Sequence, residues 1–243
     1  MSKVEAARFA ALPEREKEEV TLPSGRTITV LESTGREEKI LGRLREKGKI
    51  VETIGQYLTG VTENLDGEPG PVPPNKFDDM LVGDRYTVLL QARRLTHGPI
   101  VTQKATCADC QTENEYEINL DEILAGIKPY PHGNDREFSL DLGVGTIHYE
   151  LPTGKSEAKL NKEKDTDFNS KLRSVRIWEV TPQGKFPVSL ETLKSRHITQ
   201  LRKDLRAHEC TIDTLVTLTC PNCGSSTKQD VIGVPDFLFP SLT

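Results

Sequence analysis

Two short cysteine pairs decide how we interpret the chain: Cys107-Ala-Asp-Cys110 and Cys220-Pro-Asn-Cys223. Two residues between thiols suit a tight turn that directs both sulfurs towards one ion. Two such turns supply four thiolates, which is the ligand set of a tetrahedral structural zinc site. The sequence therefore predicts one Zn²⁺ ion held by Cys107, Cys110, Cys220 and Cys223. Four protein thiolates leave no ligand position open to water, so this zinc is expected to be structural rather than catalytic.

The residues around both pairs have the pattern of β-strands. Polar and apolar residues alternate over 115–120, which places Tyr116, Ile118 and Leu120 on one face. Leu215-Val-Thr-Leu-Thr219 precedes the second pair, and Asp230-Val-Ile-Gly-Val234 follows it. Each pair is therefore expected at the tip of a β-hairpin, a form called a zinc knuckle. Two knuckles that face each other make a zinc ribbon.

The two pairs lie in different halves of the 243-residue chain, so their shared site is an inference about folding. Two disulfides and four free thiols are the alternatives. A disulfide within C-x-x-C usually belongs to a redox enzyme, and no thioredoxin-like strand and helix precede either pair. Cys210 falls outside both pairs and is expected to be a small core residue.

Composition excludes some classes of protein. The charged fraction is 28% and the formal net charge is −5, which argues against nucleic-acid binding driven by bulk charge but leaves a local basic patch open. No apolar run reaches the roughly 18 residues of a membrane span. Charged residues interrupt the N-terminal stretch 1–11, so it does not have the pattern of a secretory signal. We expect synthesis in a reducing cytosol and no membrane partner.

The first half predicts a hairpin followed by helices. Short alternating runs flank Pro23-Ser-Gly-Arg26, which indicates a β-hairpin over 19–30. Thr34 and Glu37 have capping-box spacing, so a helix is expected to begin there and to end at Gly48. Further helices are predicted over 50–58 and from Asp78 to Leu95, separated by a Gly/Pro-rich loop over 66–76.

The second half repeats this order of landmarks. Leu151-Pro-Thr-Gly-Lys155 echoes Leu22-Pro-Ser-Gly-Arg26, and a helix over 189–205, with Ser189 as its N-cap, precedes the second knuckle. In both halves a basic helix and a histidine, His97 or His208, come before the cysteines. The predicted fold is α+β: an N-terminal arm (1–18) and two duplicated units (19–145 and 146–243) joined by the zinc ribbon. Chance recurrence of common turns is the alternative.

Several of these segments together resemble the T4-like bacteriophage baseplate protein family. They are Thr34-Gly-Arg-Glu-Glu-Lys-Ile-Leu41 after the first hairpin, the stretch from Leu81 to Leu90, and the LPTG recurrence before the second C-x-x-C. The resemblance spans roughly residues 20–235. It implies a baseplate hub component or a hub/tail assembly factor of a contractile tail. It also implies partners among other tail proteins, several copies in a ring, and a location in the virion tail baseplate, with the host cytoplasm during assembly.

Catalytic signatures are missing from the sequence. It contains no Walker loop, no G-x-S-x-G and no H-E-x-x-H, and Gly143-Val-Gly145 is too short for a dinucleotide motif. His97 and His208 are expected to cap helix ends. We therefore expect a protein that is not an enzyme. The alternative is a zinc ribbon that binds nucleic acid through nearby basic residues, and a zinc-dependent hydrolase is a weaker one. Those basic residues are Arg93, Arg94, Lys104, Arg202, Lys203 and Arg206.

Overall fold

The structure is a computed structural model that describes residues 14–42, 50–68, 70–160 and 175–231. Most of the predicted N-terminal arm, the predicted helix end at Gly48 and the end of the last predicted strand at Val234 lie outside these ranges. Within them the fold is α+β, with several small antiparallel sheets, as predicted. No helix in the described part of the chain is long and apolar enough to cross a membrane.

The first sheet forms as the alternating pattern predicts. Strands β1 (Lys17–Thr21), β2 (Thr27–Leu31) and β3 (Thr62–Leu65) pair antiparallel in that order. The turn between β1 and β2 contains Gly25 at a φ of 85°, a conformation that glycine adopts without the steric cost of a side chain.

Two helices connect β2 to β3. Helix α1 (Gly35–Leu41) begins with the predicted capping box, in which Thr34 and Glu37 satisfy each other's backbone donors. Helix α2 (Ile50–Gly60) extends two residues beyond the predicted 50–58.

The single helix predicted from Asp78 to Leu95 is wrong, because it is interrupted. The chain forms α3 (Pro74–Asp79) and α4 (Val82–His97), with Met80 and Leu81 extended between them. A segment that is distant in sequence pairs with the extended residues between the two helices. The amide of Gly154 donates to the carbonyl of Met80 at 3.2 Å, and the amide of Val82 donates to that of Pro152 at 3.1 Å. The tertiary pairing thus overrides the local helical preference.

Two separate hairpins carry the cysteine pairs. The first hairpin consists of β4 (Ile100–Thr106) and β5 (Glu113–Asn119), and the short helix α5 (Leu120–Ala125) comes after it. The second hairpin consists of β10 (Leu215–Thr219) and β11 (Ser226–Asp230). Each hairpin is a two-stranded antiparallel sheet with a cysteine pair at its turn, as predicted. The strand predicted over 230–234 is wrong, because pairing with β10 directly after the loop places the returning strand at Ser226–Asp230.

A four-stranded sheet and further helical segments lie between the hairpins in the described part of the chain. Strands β6 (Glu137–Asp141), β7 (Thr146–Glu150), β8 (Arg176–Thr181) and β9 (Gly184–Pro187) pair antiparallel in sequential order. Helix α6 (Gly154–Leu160) follows β7. The helix predicted over 189–205 is two segments: a 3₁₀ turn (Leu190–Thr192), which Ser189 caps as predicted, and α7 (Ser195–His208).

The expected match between the two LPxG segments is wrong at the second of them. Leu22-Pro-Ser-Gly25 is a hairpin turn, whereas Leu151-Pro-Thr-Gly154 leads from β7 into helix α6. The glycines are needed for different reasons. Gly25 has a positive φ, but Gly154 lies against the Arg85 guanidinium, where a Cβ atom would collide with Nη1. The same four-residue pattern therefore serves two different local structures, and the predicted duplication of whole units remains a prediction.

The buried apolar residues form two clusters. The first lies among β1–β3, α2–α4 and the β4–β5 hairpin, and its fully buried members include Ile28, Leu58 and Leu90. The second lies between the four-stranded sheet and α7 and centres on Tyr149 and Leu201. Leu218 and Val231 of the second hairpin belong to the first cluster. The second hairpin thus packs on the core formed by the N-terminal half, which brings the two cysteine pairs within reach of each other.

Candidate metal centre

The two cysteine loops are built alike. Register pairs Thr106 with Glu113 in the first hairpin and Thr219 with Ser226 in the second, so loops 107–112 and 220–225 have equal length. In each loop the strands end one residue before the first cysteine. The alternating strand pattern on both sides therefore fixes where the cysteines sit relative to the sheet.

The loop backbones make the same hydrogen bonds. The amide of Cys107 donates to the carbonyl of Thr112 at 2.9 Å, and the amide of Cys220 donates to that of Ser225 at 2.8 Å. In both loops the residue after the second cysteine has a positive φ: 59° at Gln111 and 76° at Gly224. These two residues donate back to the carbonyls of Cys107 and Cys220, at 3.0 and 2.9 Å. Both loops are therefore knuckle turns of one type.

The four sulfurs meet in one cluster. All four Sγ atoms lie within 4.8 Å of one another. The sulfurs of Cys107 and Cys223 are 3.6 Å apart, and so are those of Cys110 and Cys220. A tetrahedron with Zn–S bonds of ~2.3 Å has S···S edges of about 3.8 Å, whereas a disulfide bond is about 2 Å long. None of the four cysteines forms a disulfide, and their spacing fits a tetrahedral ion rather than the alternative of two disulfides.

Burial differs within each pair. Cys107 and Cys220, the first cysteines of their loops, are buried, whereas Cys110 is half-buried and Cys223 is exposed. The second cysteine of each loop thus lies on the solvent side of the cluster. Any ion held here would be shielded on the side of the core and reachable from the side of the loops.

Hydrogen bonds cross from one hairpin to the other around the sulfurs. Asn114 of β5 donates its side-chain amide to the Sγ of Cys220 at 3.4 Å and to the carbonyl of Thr112 at 3.1 Å. Asn222 of the second loop donates to the Thr112 hydroxyl at 3.2 Å, and that hydroxyl lies 3.4 Å from the Sγ of Cys110. Each hairpin therefore supplies a donor to the sulfur environment of the other, which is how partners of metal ligands usually orient them.

These donors also change thiol acidity. Hydrogen bonds from Thr112 and then Asn222 lower the pKa of Cys110 to about 5. Backbone donation from Cys223 lowers the pKa of Cys220. A backbone hydrogen bond from Ser225 alone would lower the pKa of Cys223, but the nearby Cys110 and burial raise that pKa to about 12. The cluster thus favours the thiolate forms of Cys110 and Cys220 and disfavours that of Cys223. A bound cation would offset the repulsion between neighbouring thiolates.

The histidines that precede the loops lie at helix ends and outside the cysteine cluster. Helices α4 and α7 end at His97 and His208, in agreement with the predicted capping positions. The Nδ1 of His208 lies 2.8 Å from the Asp204 carbonyl of its own helix and 2.9 Å from the Tyr149 hydroxyl. Within the described ranges, the four cysteines are the one group of His, Cys, Asp and Glu side chains spaced for a metal ion.

The basic residues considered for nucleic-acid binding do not form one surface. Arg93 is buried, and Arg94 bridges Glu18 and Asp121 at 2.7 and 2.6 Å. Lys104 lies opposite Glu115 in the register of the first hairpin. The cations that remain belong to α7, so the structure weakens the nucleic-acid alternative. Cys210, outside the cluster, packs partly buried against the second core, as expected.

Sequence reasoning missed the hydrogen-bond donors around the sulfurs and the contacts made by the first turn of α4. Asn114 and Asn222 carry no motif of their own, and only the meeting of the two hairpins gives them a role.

The first turn of α4 contacts both LPxG regions. Fully buried Asp84 accepts a hydrogen bond from the Ser24 amide at 3.0 Å. Arg85 lies 3.6 Å from the Glu157 carboxylate of α6. Residues that follow each LPxG leucine thus contact the same turn of α4.

Comparison with known protein families places most of the chain in a family. A family model described as T4 bacteriophage base plate protein matches residues 15–239, which is most of the chain. No curated protein matches, and no solved structure matches.

Proposed function

Because the chain belongs to the T4 bacteriophage base plate protein family, we propose that it is a non-enzymatic structural or assembly protein of the baseplate hub. In this proposal Cys107, Cys110, Cys220 and Cys223 hold one structural Zn²⁺ ion. The partners are other tail proteins, and the protein acts in the host cytoplasm during assembly and in the virion tail baseplate.

The cluster of four sulfurs is the observation that supports the zinc. The sulfurs come from two hairpins in different halves of the chain, and two pairs lie 3.6 Å apart. Structural zinc sites use four such ligands and keep no open position. Cross-hairpin donation by Asn114 and Asn222 adds the outer hydrogen bonds that zinc thiolates usually receive.

The zinc serves function by holding the two halves in one arrangement. Binding energy of a structural zinc is folding energy, because the unfolded chain has no formed site. The ion joins residues near 107 to residues near 220, so it closes a large loop and limits how the second hairpin sits on the first core. A protein that docks to neighbours in a particle gains from a rigid surface, since a flexible one must be ordered on binding.

The test compares Cys220→Ser with Cys210→Ser, a matched control outside the cluster. Zinc content, thermal unfolding and association with co-expressed tail proteins are measured for both. We expect Cys220→Ser to lose zinc, unfold at lower temperature and lose association, while Cys210→Ser keeps zinc. Loss of zinc with unchanged unfolding and unchanged association would refute the structural role.

A second experiment separates a permanent component from a transient assembly factor. Mass spectrometry of purified virions detects the chain if it persists in the particle. Its presence in assembly intermediates but absence from virions assigns it the transient role.

A further inference from the structure

The solvent face of β5 carries a row of acids. Glu113, Glu115 and Glu117 occupy alternate positions of the strand, so they share one face, and all three are exposed. Opposite them on β4 lie Thr106, Lys104 and Thr102, so the row has one cation against three carboxylates. We call these three glutamates the acidic row.

The solvent face of α7 carries a row of the opposite sign. Arg196, Lys203 and Arg206 are exposed and recur at helical spacing, and the opposite face buries Leu201 and Leu205. Asp204, the acid within α7, accepts a hydrogen bond from Tyr149 at 2.8 Å. We call these three cations the basic stripe.

Neither row forms an ion pair with the described part of its own chain. Among the salt bridges of the described residues, none includes a member of the acidic row or the basic stripe. By contrast, exposed Lys17 and Lys155 and half-buried Arg26 each pair with a carboxylate. The acidic row and the basic stripe each present three charges of one sign on one face without such a partner.

The two rows also match in length. At 1.5 Å per residue, the basic stripe from Arg196 to Arg206 spans about 15 Å. At about 3.4 Å per residue, the acidic row from Glu113 to Glu117 spans about 14 Å. Each row presents three charges over that distance, and long Arg and Lys side chains absorb the differences in spacing.

We propose that the basic stripe of one copy of this protein docks on the acidic row of a second copy. The complement of each surface is present on the same chain, which is the reason to choose a second copy as the occupant. The acidic row speaks against a nucleic acid, because phosphates approaching this protein would be repelled by it and by the net charge of −5. The proposal goes beyond the baseplate assignment and does not depend on zinc.

The contact is expected to be weak and oriented. Exposed ion pairs contribute about 0.2–1 kcal/mol each, so three of them set direction and encounter rate more than affinity. Salt screens them over a Debye length of about 8 Å at physiological ionic strength. Two different surfaces meet in this contact. Copies therefore join head to tail into a ring or filament, or pair reciprocally as a two-fold dimer.

The experiment measures mass by sedimentation velocity of the full-length protein alone, at low and high salt. At low salt the weight-average mass of the wild type is expected to rise above 27.1 kDa as its concentration increases, and at high salt it is expected to stay at 27.1 kDa. Reversing the basic stripe (Lys203→Glu with Arg206→Glu) or the acidic row (Glu113→Lys with Glu115→Lys) is expected to give monomers. Lys228→Glu, on β11, is the control for an unrelated charge change and is expected to associate like the wild type.

Mixing the two reversed variants is the decisive step. Each is monomeric alone, and the mixture is expected to associate again because an acidic α7 now meets a basic β5. A monomeric wild type at every concentration and salt would overturn the proposal, as would a mixture that stays monomeric while both variants remain folded by thermal unfolding. A basic stripe that binds a DNA oligonucleotide while the wild type stays monomeric also overturns it. No other tail protein is present, so failure here leaves the baseplate assignment unaffected.

Discussion

The two cysteine hairpins share a loop but differ in how they are anchored. The strands of the first hairpin are seven residues long, and it buries Val101 and Ile118 in the first core. The strands of the second are five residues long, and β10 buries Leu218 while Leu215 at its start remains 53% exposed. The two loops therefore have the same backbone conformation although their strands differ in length and packing.

This difference indicates which interactions stabilise each hairpin. The first has its own apolar face and helices α4 and α5 next to it in sequence, so packing alone can hold it. The second reaches the first core through buried Leu218 and Val231, with Val216 half-buried against the same core, and its loop contacts the first loop at the sulfurs. We infer that the metal site is more important for the second hairpin than for the first.

Metal removal is expected to have the largest effect. A structural zinc contributes about 10–16 kcal/mol of apparent binding energy, and its loss removes the tie between the hairpins. After chelation, backbone amides of 215–230 are expected to exchange with deuterium far faster, while those of 100–119 stay largely protected. Hydrogen-exchange mass spectrometry measures both. Equal loss of protection in the two hairpins would contradict the inferred difference in anchorage.

The apolar anchor of the second hairpin comes next. Leu218→Ala is expected to destabilise the protein by about 2–5 kcal/mol, because it leaves a cavity in the first core. Leu215→Ala, on the same strand but exposed, is the matched control and is expected to change stability by less than about 0.5 kcal/mol. Urea unfolding measures the difference. Similar effects for both leucines would mean that the second hairpin does not rely on core packing.

Substitutions of the residue after the second cysteine test whether the two loops have equivalent backbones. Gly224→Ala is expected to cost about 1–2 kcal/mol, since φ is 76° there and a side chain disfavours the left-handed region. The mirror change is Gln111→Gly. It relieves similar strain but removes the Gln111 side-chain donation to the Ala108 carbonyl at 2.8 Å, worth about 1 kcal/mol. Its net effect is expected to be near zero. Thermal unfolding of both variants gives the comparison, and a stable Gly224→Ala would argue against equivalent loops.

The smallest expected effect concerns the reciprocal donors. Asn114→Ala removes a direct donor to the Cys220 sulfur, and zinc affinity is expected to fall about 10-fold. Asn222→Ala removes a donor beside Cys110, but Thr112 remains next to that sulfur at 3.4 Å, so its effect is expected to be smaller. Competition with a zinc chelator measures both affinities. An equal or larger loss for Asn222→Ala would show that the second loop, rather than β5, orients the ligands.

Much of the local structure could be predicted because its signals lie within a few residues. The alternation around both cysteine pairs, the Thr34–Glu37 capping box and the glycine turn at Gly25 each specify their own element. The clustering of the four cysteines also followed from the sequence, because C-x-x-C turns at hairpin tips are typical of zinc ligands. These are the features for which short-range sterics and hydrogen bonding decide the conformation.

One of the errors concerns contacts between distant segments. The helix predicted from Asp78 to Leu95 breaks at Met80 because backbone groups near Pro152 pair with that segment. The second LPxG segment instead begins a helix through a local contact, because the Ser156 hydroxyl accepts a hydrogen bond from the Thr153 amide at 2.8 Å. Only the break at Met80 had no local pattern, since its backbone partners near Pro152 lie in the other half of the chain.

By itself, the sequence determined that both cysteine pairs lie at the turns of β-hairpins, and it carried the family of the protein. Only the tertiary structure decided that the second hairpin packs on the core of the N-terminal half, and that Asn114 and Asn222 reach across to the sulfurs of the opposite hairpin. The physical reason is the range of the forces. Backbone sterics and alternation act within an element, whereas burial of Leu218 and Val231 depends on where apolar surface is available in the folded molecule.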